Sequence, residues 1–175
     1  MLIVLAGLPG VGKTTIAKAL ARRLDAVHVR IDAIEQAIRE SSTGAAVPMD
    51  DAGYRAGYAI AEDHLARGRT VIADSVNPWP LTRDAWIGVA RRVGAAAVEI
   101  EIICSDVEEH RRRVETRPPD IPGFTPPTWQ DVVARDYRPW ERQRLVIDTA
   151  GATLEHSIET IHAALQFGKA RVLPG

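Results

Sequence analysis

The chain has 175 residues and 46% hydrophobic content, enough for one domain with one substantial core. Its 22 basic and 23 acidic residues leave a net charge of −1, so no overall positive field would attract long nucleic acid or an anionic membrane. The single Cys104 excludes an internal disulfide, and the amino-terminal apolar run is too short for a signal peptide or a membrane span. We therefore expect one cytoplasmic domain over residues 1–175.

The first predicted element is a buried strand that leads into a phosphate-binding loop. An apolar run over residues 2–6 precedes Gly-Leu-Pro-Gly-Val-Gly-Lys-Thr-Thr over residues 7–15. The glycines leave backbone amides free to surround a phosphate, and strand, loop and helix follow in the order that a P-loop requires. The pattern predicts a P-loop whose nucleotide contacts come from Gly7, Gly10, Val11, Gly12, Lys13, Thr14 and Thr15.

Two side chains of this loop have separate chemical tasks. Lys13 neutralises phosphate charge, and Thr14 presents a hydroxyl that can ligate Mg²⁺ held by the β- and γ-phosphates. We therefore expect ATP and Mg²⁺ as cofactors.

Helices and strands alternate along the remaining chain. Apolar residues at helical spacing predict helices over 14–24, from Asp50 or Asp51 to Arg67, and over 81–93, 106–117, 128–141 and 154–167. Short apolar runs predict strands over 26–31, 70–74, 97–104 and 145–148. This alternation predicts an α/β fold with a parallel sheet of about five strands and helices on both faces.

A proline-rich stretch interrupts this alternation. Residues 118–127 contain five prolines in ten residues, which remove backbone donors and fix φ. The stretch predicts a lid or a linker. Arginines flank it, because Arg113 and Arg117 share one face of the preceding helix and Arg135 follows the stretch.

Two aspartates stand at the carboxyl ends of predicted strands, where open α/β sheets bind ligands. Asp32 follows the second strand and Asp74 ends the third, and both lie beside the P-loop if their strands flank the first strand. A carboxylate there can act as a general base toward a hydroxyl. Asp32 followed three residues later by Glu35 is also a helix N-cap pattern, so capping explains it as well.

These stretches together resemble the small P-loop kinases of the nucleoside-monophosphate-kinase-like group. The nearest members are typified by chloramphenicol phosphotransferase, the polynucleotide 5′-hydroxyl kinase domain, gluconate kinase and the zeta toxins. The resemblance is carried by residues 7–14, 29–32 and 71–77 and by the arginines around the proline-rich stretch. It extends from residue 2 to about residue 165 and implies a three-layer P-loop fold with a small Arg/Pro-rich lid at about residues 117–135.

The resemblance implies roles at the nucleotide. Arg113 would lie against the adenine of ATP, and the loop at Thr149 would border the same ring. Arg117 and Arg135 would stabilise the charge that develops on the transferring phosphoryl group.

The resemblance also implies roles at the acceptor. Asp32 would be the general base, and Asp74 would order Mg²⁺ or position the acceptor. The predicted acceptor contacts are Asp32, Arg55, Asp74 and Asn77, with apolar walls from Tyr54, Tyr58 and Trp79. This mixture suits a small hydroxylated molecule, such as an antibiotic, a sugar or a nucleoside-like compound, better than a long polyanion.

Other functions stay open at this point. A polynucleotide or tRNA 5′-hydroxyl kinase has a similar Asp32 region, but Glu35 stands where those enzymes usually carry an arginine, so nucleic acid is the less favoured partner. A zeta-toxin-like kinase would phosphorylate a sugar nucleotide. An ATP-binding regulatory ATPase module would use Asp32 only as a cap. The sequence does not indicate an oligomeric state.

Overall fold

The computed structural model describes residues 1–41 and 51–166. The strands are β1 Leu2–Ala6, β2 Val27–Arg30, β3 Val71–Asp74, β4 Ala97–Ile103 and β5 Leu145–Asp148. The helices are α1 Lys13–Leu24, α2 Ile31–Ser41, α3 Ala52–Ala66, α4 Pro80–Arg92, α5 Val107–Thr116, α6 Trp129–Val133 and α7 Leu154–Gln166. Within the described residues, no helix is long and apolar enough to cross a membrane.

The five strands form one parallel sheet in the order β2-β3-β1-β4-β5. This confirms the predicted α/β class and the strand number. β3 flanks β1 and β2 pairs with β3, so the condition that the strands of both aspartates flank β1 holds for the strand of Asp74 and not for β2. Leu5, Arg30 and Asp74 are nevertheless in register across the three strands, which places their carboxyl ends at one edge of the sheet.

β1 is buried on both sides because helices cover both faces of the sheet. Ile3 and Leu5 belong to the core formed with α1 and α7, whereas Leu2 and Val4 belong to the core formed with α3 and α4. All five residues of β1 are fully buried. The central strand is thereby fixed from two sides, and the loop that follows it starts from a rigid point.

The helix predicted over residues 128–141 is much shorter in the structure. α6 begins at Trp129 after a capping box between Thr128 and Asp131, and it ends at Val133. Pro139 disfavours helical backbone at the residue before it and provides no backbone N–H. The segment after α6 instead presents its carbonyl groups to Arg83, as described below.

The helix starts differ from the cap predictions in two places. α2 begins at Ile31 directly after β2, so Asp32 lies in the first turn and the N-cap interpretation is wrong. Asp51 occupies the N-cap position of α3 without a side-chain capping bond, whereas Asp106 caps α5 as predicted. The alternative cap Asp50 and the predicted helix end at Phe167 lie outside the described residues.

Candidate active site

A cleft of about 950 Å³ opens where the carboxyl ends of β1, β2 and β3 meet α2 and the segment that follows α5. Its walls include most of the predicted site residues: Gly10, Gly12, Lys13, Thr14, Thr15, Asp32, Asp74, Arg113, Arg117, Arg135 and Thr149. We refer to this space as the cleft.

The loop between β1 and α1 has the backbone that its glycines predict. Gly7, Gly10 and Gly12 have backbone φ angles of 138°, 88° and 102°, in a region that residues other than glycine rarely adopt. A Cβ on Gly7 would lie 2.1 Å from the carbonyl oxygen of Ile102, and a Cβ on Gly10 would lie 2.4 Å from Cγ2 of Val114. The loop therefore packs against β4 and α5 in a way that requires glycine.

Gly7 and Val11 are two predicted nucleotide contacts that do not line the cleft. Their backbone groups instead connect the loop to neighbouring segments. The amide of Gly7 donates to the carbonyl oxygen of Val76 at 3.1 Å. Val11 is buried, and its carbonyl oxygen accepts a hydrogen bond from the hydroxyl of Thr149 at 2.9 Å.

Lys13 is buried at the start of α1, and its Nζ donates to the carbonyl oxygen of Leu8 at 2.9 Å. Burial lowers the pKa of Lys13 to about 8. The charges of Asp74 and Asp32 oppose this shift, while those of Arg117 and Arg135 add to it. Four predicted site residues from four segments thus lie close enough to Lys13 to act on its charge.

Asp74 and Thr14 provide oxygen atoms suited to Mg²⁺. Asp74 is 3% exposed, and Nε2 of His28 lies 3.0 Å from its Oδ2. Burial would raise the pKa of the Asp74 carboxyl, but the hydrogen bond with His28, the charge of Lys13 and the hydroxyl of Thr14 hold it below its usual range. An ionised carboxylate beside a hydroxyl matches the hard oxygen ligands that Mg²⁺ prefers, so the two residues fit the predicted metal site.

Asp32 is the more accessible of the two aspartates. Its side chain is 43% exposed and lines the cleft, and Oδ2 lies 3.9 Å from Nη2 of Arg30. Glu35, one turn further along α2, is half-buried, and burial together with the charge of Asp32 raises its pKa. The accessible carboxylate of Asp32 therefore has a less exposed carboxyl group, that of Glu35, beside it.

The proline-rich segment covers the cleft between Arg117 and Arg135. Arg117 directly follows α5, and its Nε is buried without a hydrogen-bond partner in the described part of the chain. Burial lowers the pKa of Arg117, and the charge of Asp32 opposes this shift. Arg135 is exposed at the cleft margin. Both arginines line the cleft on the side of the proline-rich segment.

The opposite end of the cleft is closed by a bond network between α5 and the loop after β5. Arg113 donates to Oγ1 of Thr149 at 2.7 Å and to its carbonyl oxygen at 2.9 Å. Oγ1 of Thr149 also lies 2.9 Å from the carbonyl oxygen of Val11. Arg113 and Thr149 thus connect the P-loop to the segment that the resemblance assigns to adenine.

Two predicted acceptor contacts lie outside the cleft. Arg55 is exposed on α3 and does not line it. Asn77 is 0% exposed, its Nδ2 donates to the carbonyl oxygen of Leu5 at 2.7 Å, and its Oδ1 accepts from Nε1 of Trp86 at 3.1 Å. Asn77 acts in the fold of its loop, because both ends of its amide are bound inside the core.

Of the predicted aromatic walls, too, some line the cleft and one lies outside it. Tyr54 and Trp79 line the cleft. The ring of Tyr58 packs edge-on against Trp86, with ring centres 4.6 Å apart, and lies outside the cleft. Two of the three predicted aromatic walls therefore border the cleft.

Sequence reasoning missed several charged residues that the cleft contains, namely Lys18, Arg30, Arg39 and Asp120. Arg30 ends β2 two residues before Asp32, and this position at a strand end was the signal that could have found it. Asp120 carried no such signal, because its partner Arg30 is 90 residues away.

Comparisons with known proteins give the family of the chain and its structural neighbours. Residues 2–125 match the model of the AAA_33 family, which is described as an AAA domain. The chain is 28% identical over 174 residues to a protein of Aeropyrum pernix named "Probable adenylyl-sulfate kinase", covering 93% of this chain and 90% of that protein.

Two solved structures show the same fold. The APS kinase of Mycobacterium tuberculosis in complex with AMPPNP and APS superposes with a TM-score of 0.66 at 14% identity, covering 94% of this chain and 96% of that one. A gluconokinase of Sinorhizobium meliloti superposes with a TM-score of 0.61 at 20% identity, covering 94% and 91%.

Proposed function

Because the chain belongs to the AAA_33 family of P-loop kinases, we propose that it transfers the γ-phosphoryl group of Mg·ATP to a hydroxyl of a small molecule. The observation that carries this proposal is the position of Asp32. Its accessible carboxylate lies in the same cleft as Lys13, close enough for the two charges to interact. A base and a phosphate-binding lysine are thus within reach of one reacting centre.

The nucleotide end follows from the P-loop and the Thr149 loop. Backbone amides at the start of α1 and the Nζ of Lys13 bind the phosphates, for which Lys13 exchanges its bond to Leu8. Thr14 and Asp74 would hold Mg²⁺, which when bound neutralises charge on the β- and γ-phosphates. Arg113 and Thr149 border the adenine ring of ATP.

At the acceptor, Asp32 accepts a hydrogen bond from the hydroxyl and takes its proton as the new bond to phosphorus forms. The bond from the γ-phosphorus to the β,γ-bridging oxygen breaks, and ADP leaves. Arg117 and Arg135 stabilise the charge spread over the phosphoryl oxygens. Asp74 is poorly placed for the base role, since its carboxylate is almost fully buried against His28.

Two features support a small acceptor. The cleft has a volume of about 950 Å³, which is in the usual range for small-molecule sites, and it must hold both ATP and the acceptor. The net charge of −1 also gives no general attraction for nucleic acid. A polynucleotide end kinase is therefore less favoured, whereas a sugar-nucleotide kinase of the zeta-toxin type, whose acceptor is also a small molecule, stays open.

The proposal is tested by a screen for acceptor-stimulated ADP release with antibiotics, sugars, sugar acids, nucleosides and 5′-hydroxyl oligonucleotides. A kinase hydrolyses ATP slowly alone and releases ADP much faster with its acceptor. Lys13→Ala should abolish this stimulation, and Arg22→Ala, an exposed change on the same helix, should preserve it. A rate that no compound changes would favour the regulatory ATPase module, and stimulation by oligonucleotides alone would favour the end kinase.

A further inference from the structure

A carboxylate of the proline-rich segment is bound by an arginine at the base of the cleft. Nη1 and Nη2 of Arg30 donate to Oδ2 and Oδ1 of Asp120 at 2.7 and 2.9 Å. Nζ of Lys18 donates to the same Oδ2 at 2.9 Å. Two parallel bonds from one guanidinium group are the geometry with which arginine binds carboxylate, phosphate or sulfate.

Charged groups of both signs meet at this corner of the cleft. The cations are Lys18, Arg30 and Arg117, and the carboxylates that act on them are those of Asp32, Asp74 and Asp120. The Nε atoms of Arg30 and Arg117 are both buried without a hydrogen-bond partner in the described ranges. Buried donors of this kind are rare in proteins and favour a further acceptor oxygen nearby.

The position of Arg30 connects this corner to the chemistry. Arg30 ends β2, in register with Asp74, and Asp32 follows two residues later with its carboxylate 3.9 Å from Nη2 of Arg30. A molecule bound by the guanidinium group would therefore lie beside the proposed base. Arg30 itself is largely buried, with 14% of its side chain exposed, so its position is set by the fold.

The contact of Asp120 with Arg30, in contrast, can be broken by a movement of Asp120. Its side chain is 45% exposed, and it belongs to the irregular segment between α5 and α6. No helix or strand holds this residue in place. An external anion that binds Arg30 needs only to displace one exposed carboxylate.

We propose that Arg30, with Lys18, binds an anionic group of the acceptor, and that Asp120 occupies this position as an internal competitor. The acceptor is then a hydroxyl compound that also carries a carboxylate, phosphate or sulfate group. This inference rests on the proposed function for the identity of the ligand as an acceptor. The anion site itself exists independently of turnover and is tested separately.

The first experiment titrates the protein with inorganic sulfate at constant ionic strength, with the P-loop saturated by Mg·AMPPNP. The signal is the Nε–Hε resonance of Arg30, which is identified by its loss in Arg30→Gln. Sulfate should shift this resonance saturably. The dissociation constant should fall about tenfold in Asp120→Asn, because the internal carboxylate no longer competes.

A second ion pair in the chain provides the matched control. Arg23 and Glu159 form the same forked contact at 2.6 and 3.3 Å on the outer surface. Glu159→Gln should leave the sulfate affinity of Arg30 unchanged. An Arg30 resonance that does not respond to sulfate, or responds equally in the protein and in Asp120→Asn, would overturn the proposal.

The second experiment compares acceptors that differ only in charge, such as glucose with gluconate and a nucleoside with its 5′-monophosphate. The charged member should be the better acceptor, and Arg30→Gln should raise its KM about 10- to 100-fold with a smaller effect on kcat. Arg30→Lys, which keeps the charge without the fork, should recover part of this loss. Preference for the neutral member with an unchanged KM in Arg30→Gln would refute the inference.

The two experiments separate the two proposals. If no compound stimulates ADP release, the proposed function fails, and the sulfate titration still decides whether Arg30 binds anions. The charged compound that is phosphorylated, gluconate or the nucleoside 5′-monophosphate, also shows whether the anionic group that Arg30 binds is a carboxylate or a phosphate.

Discussion

Nη2 of Arg83 donates to the carbonyl oxygen of Arg138 at 2.7 Å, which joins the first turn of α4 to the segment that leads from α6 back to the sheet. The guanidinium group also binds the carbonyl oxygens of Asn77, Pro78 and Pro139, and lies 4.1 Å from the ring centre of Trp140. One buried cation thus fixes both the loop after β3 and the segment after α6.

Replacement of Arg83 should loosen the segment after α6. Arg83→Met leaves several buried carbonyl groups without a donor, and we expect the free energy of unfolding to fall by about 3 kcal/mol. Trypsin should also cut more rapidly after Arg135. Thermal unfolding and limited proteolysis measure the two effects. Arg91→Met, an exposed change on the same helix, is the control, and equal melting temperatures for the two variants would contradict this role.

Local patterns predicted most of the fold. The glycine spacing of the P-loop and the alternation of apolar runs with amphipathic stretches depend on near neighbours, and the five strands and the caps at Asp106 and Thr128 follow from them. The strand order did not follow from such patterns. β2 lies beside β3, and α1 and α3 both pack against these two strands, so the order involves contacts between segments that are distant in sequence.

In the candidate site, too, local patterns predicted some residues and missed those whose contacts are distant in sequence. Residues at strand ends and in the P-loop could be predicted because topology places them at one edge. Arg83 and Asp120 could not, since their partners are distant in sequence. Asn77 was wrongly placed for a related reason: an Asn before Pro reads as an exposed turn, and only the structure brings Leu5 and Trp86 to its amide.

The affinity for nucleotide should depend on pH through Lys13. Its pKa of about 8 means that the amine loses its charge as pH rises through that value, and the phosphates bind the charged form. Affinity for Mg·AMPPNP should therefore be constant below that pKa and fall by up to about tenfold per pH unit above it. Calorimetry across this range measures the slope. Lys13→Ala should bind weakly with no such slope, and a slope that persists in this variant would assign the titration to another group.

Arg117 should contribute to turnover more than to nucleotide binding. The group acts on charge that develops as the phosphoryl group transfers, so Arg117→Met should lower kcat about 10²- to 10³-fold with a small change in the affinity for Mg·AMPPNP. Arg111→Met is a matched control, because Arg111 is exposed on α5, which Arg117 directly follows, and it pairs only with Glu115 among the described residues. Equal loss of binding and turnover would indicate that Arg117 holds the bound ATP rather than the transition state.

The last prediction concerns Asp32 as the general base. Asp32→Asn keeps the size and polarity of the side chain, and its cost to α2 is limited to the loss of one negative charge in the first turn, about 0.3–1 kcal/mol. The fold and the affinity for Mg·AMPPNP should therefore be preserved. The kcat measured with a verified acceptor should fall about 10²- to 10⁴-fold, because no other accessible carboxylate takes the proton as directly. Asp63→Asn on the exposed face of α3 should leave kcat unchanged. A near-normal kcat in Asp32→Asn, together with a large loss in Asp74→Asn, would transfer the base role to Asp74.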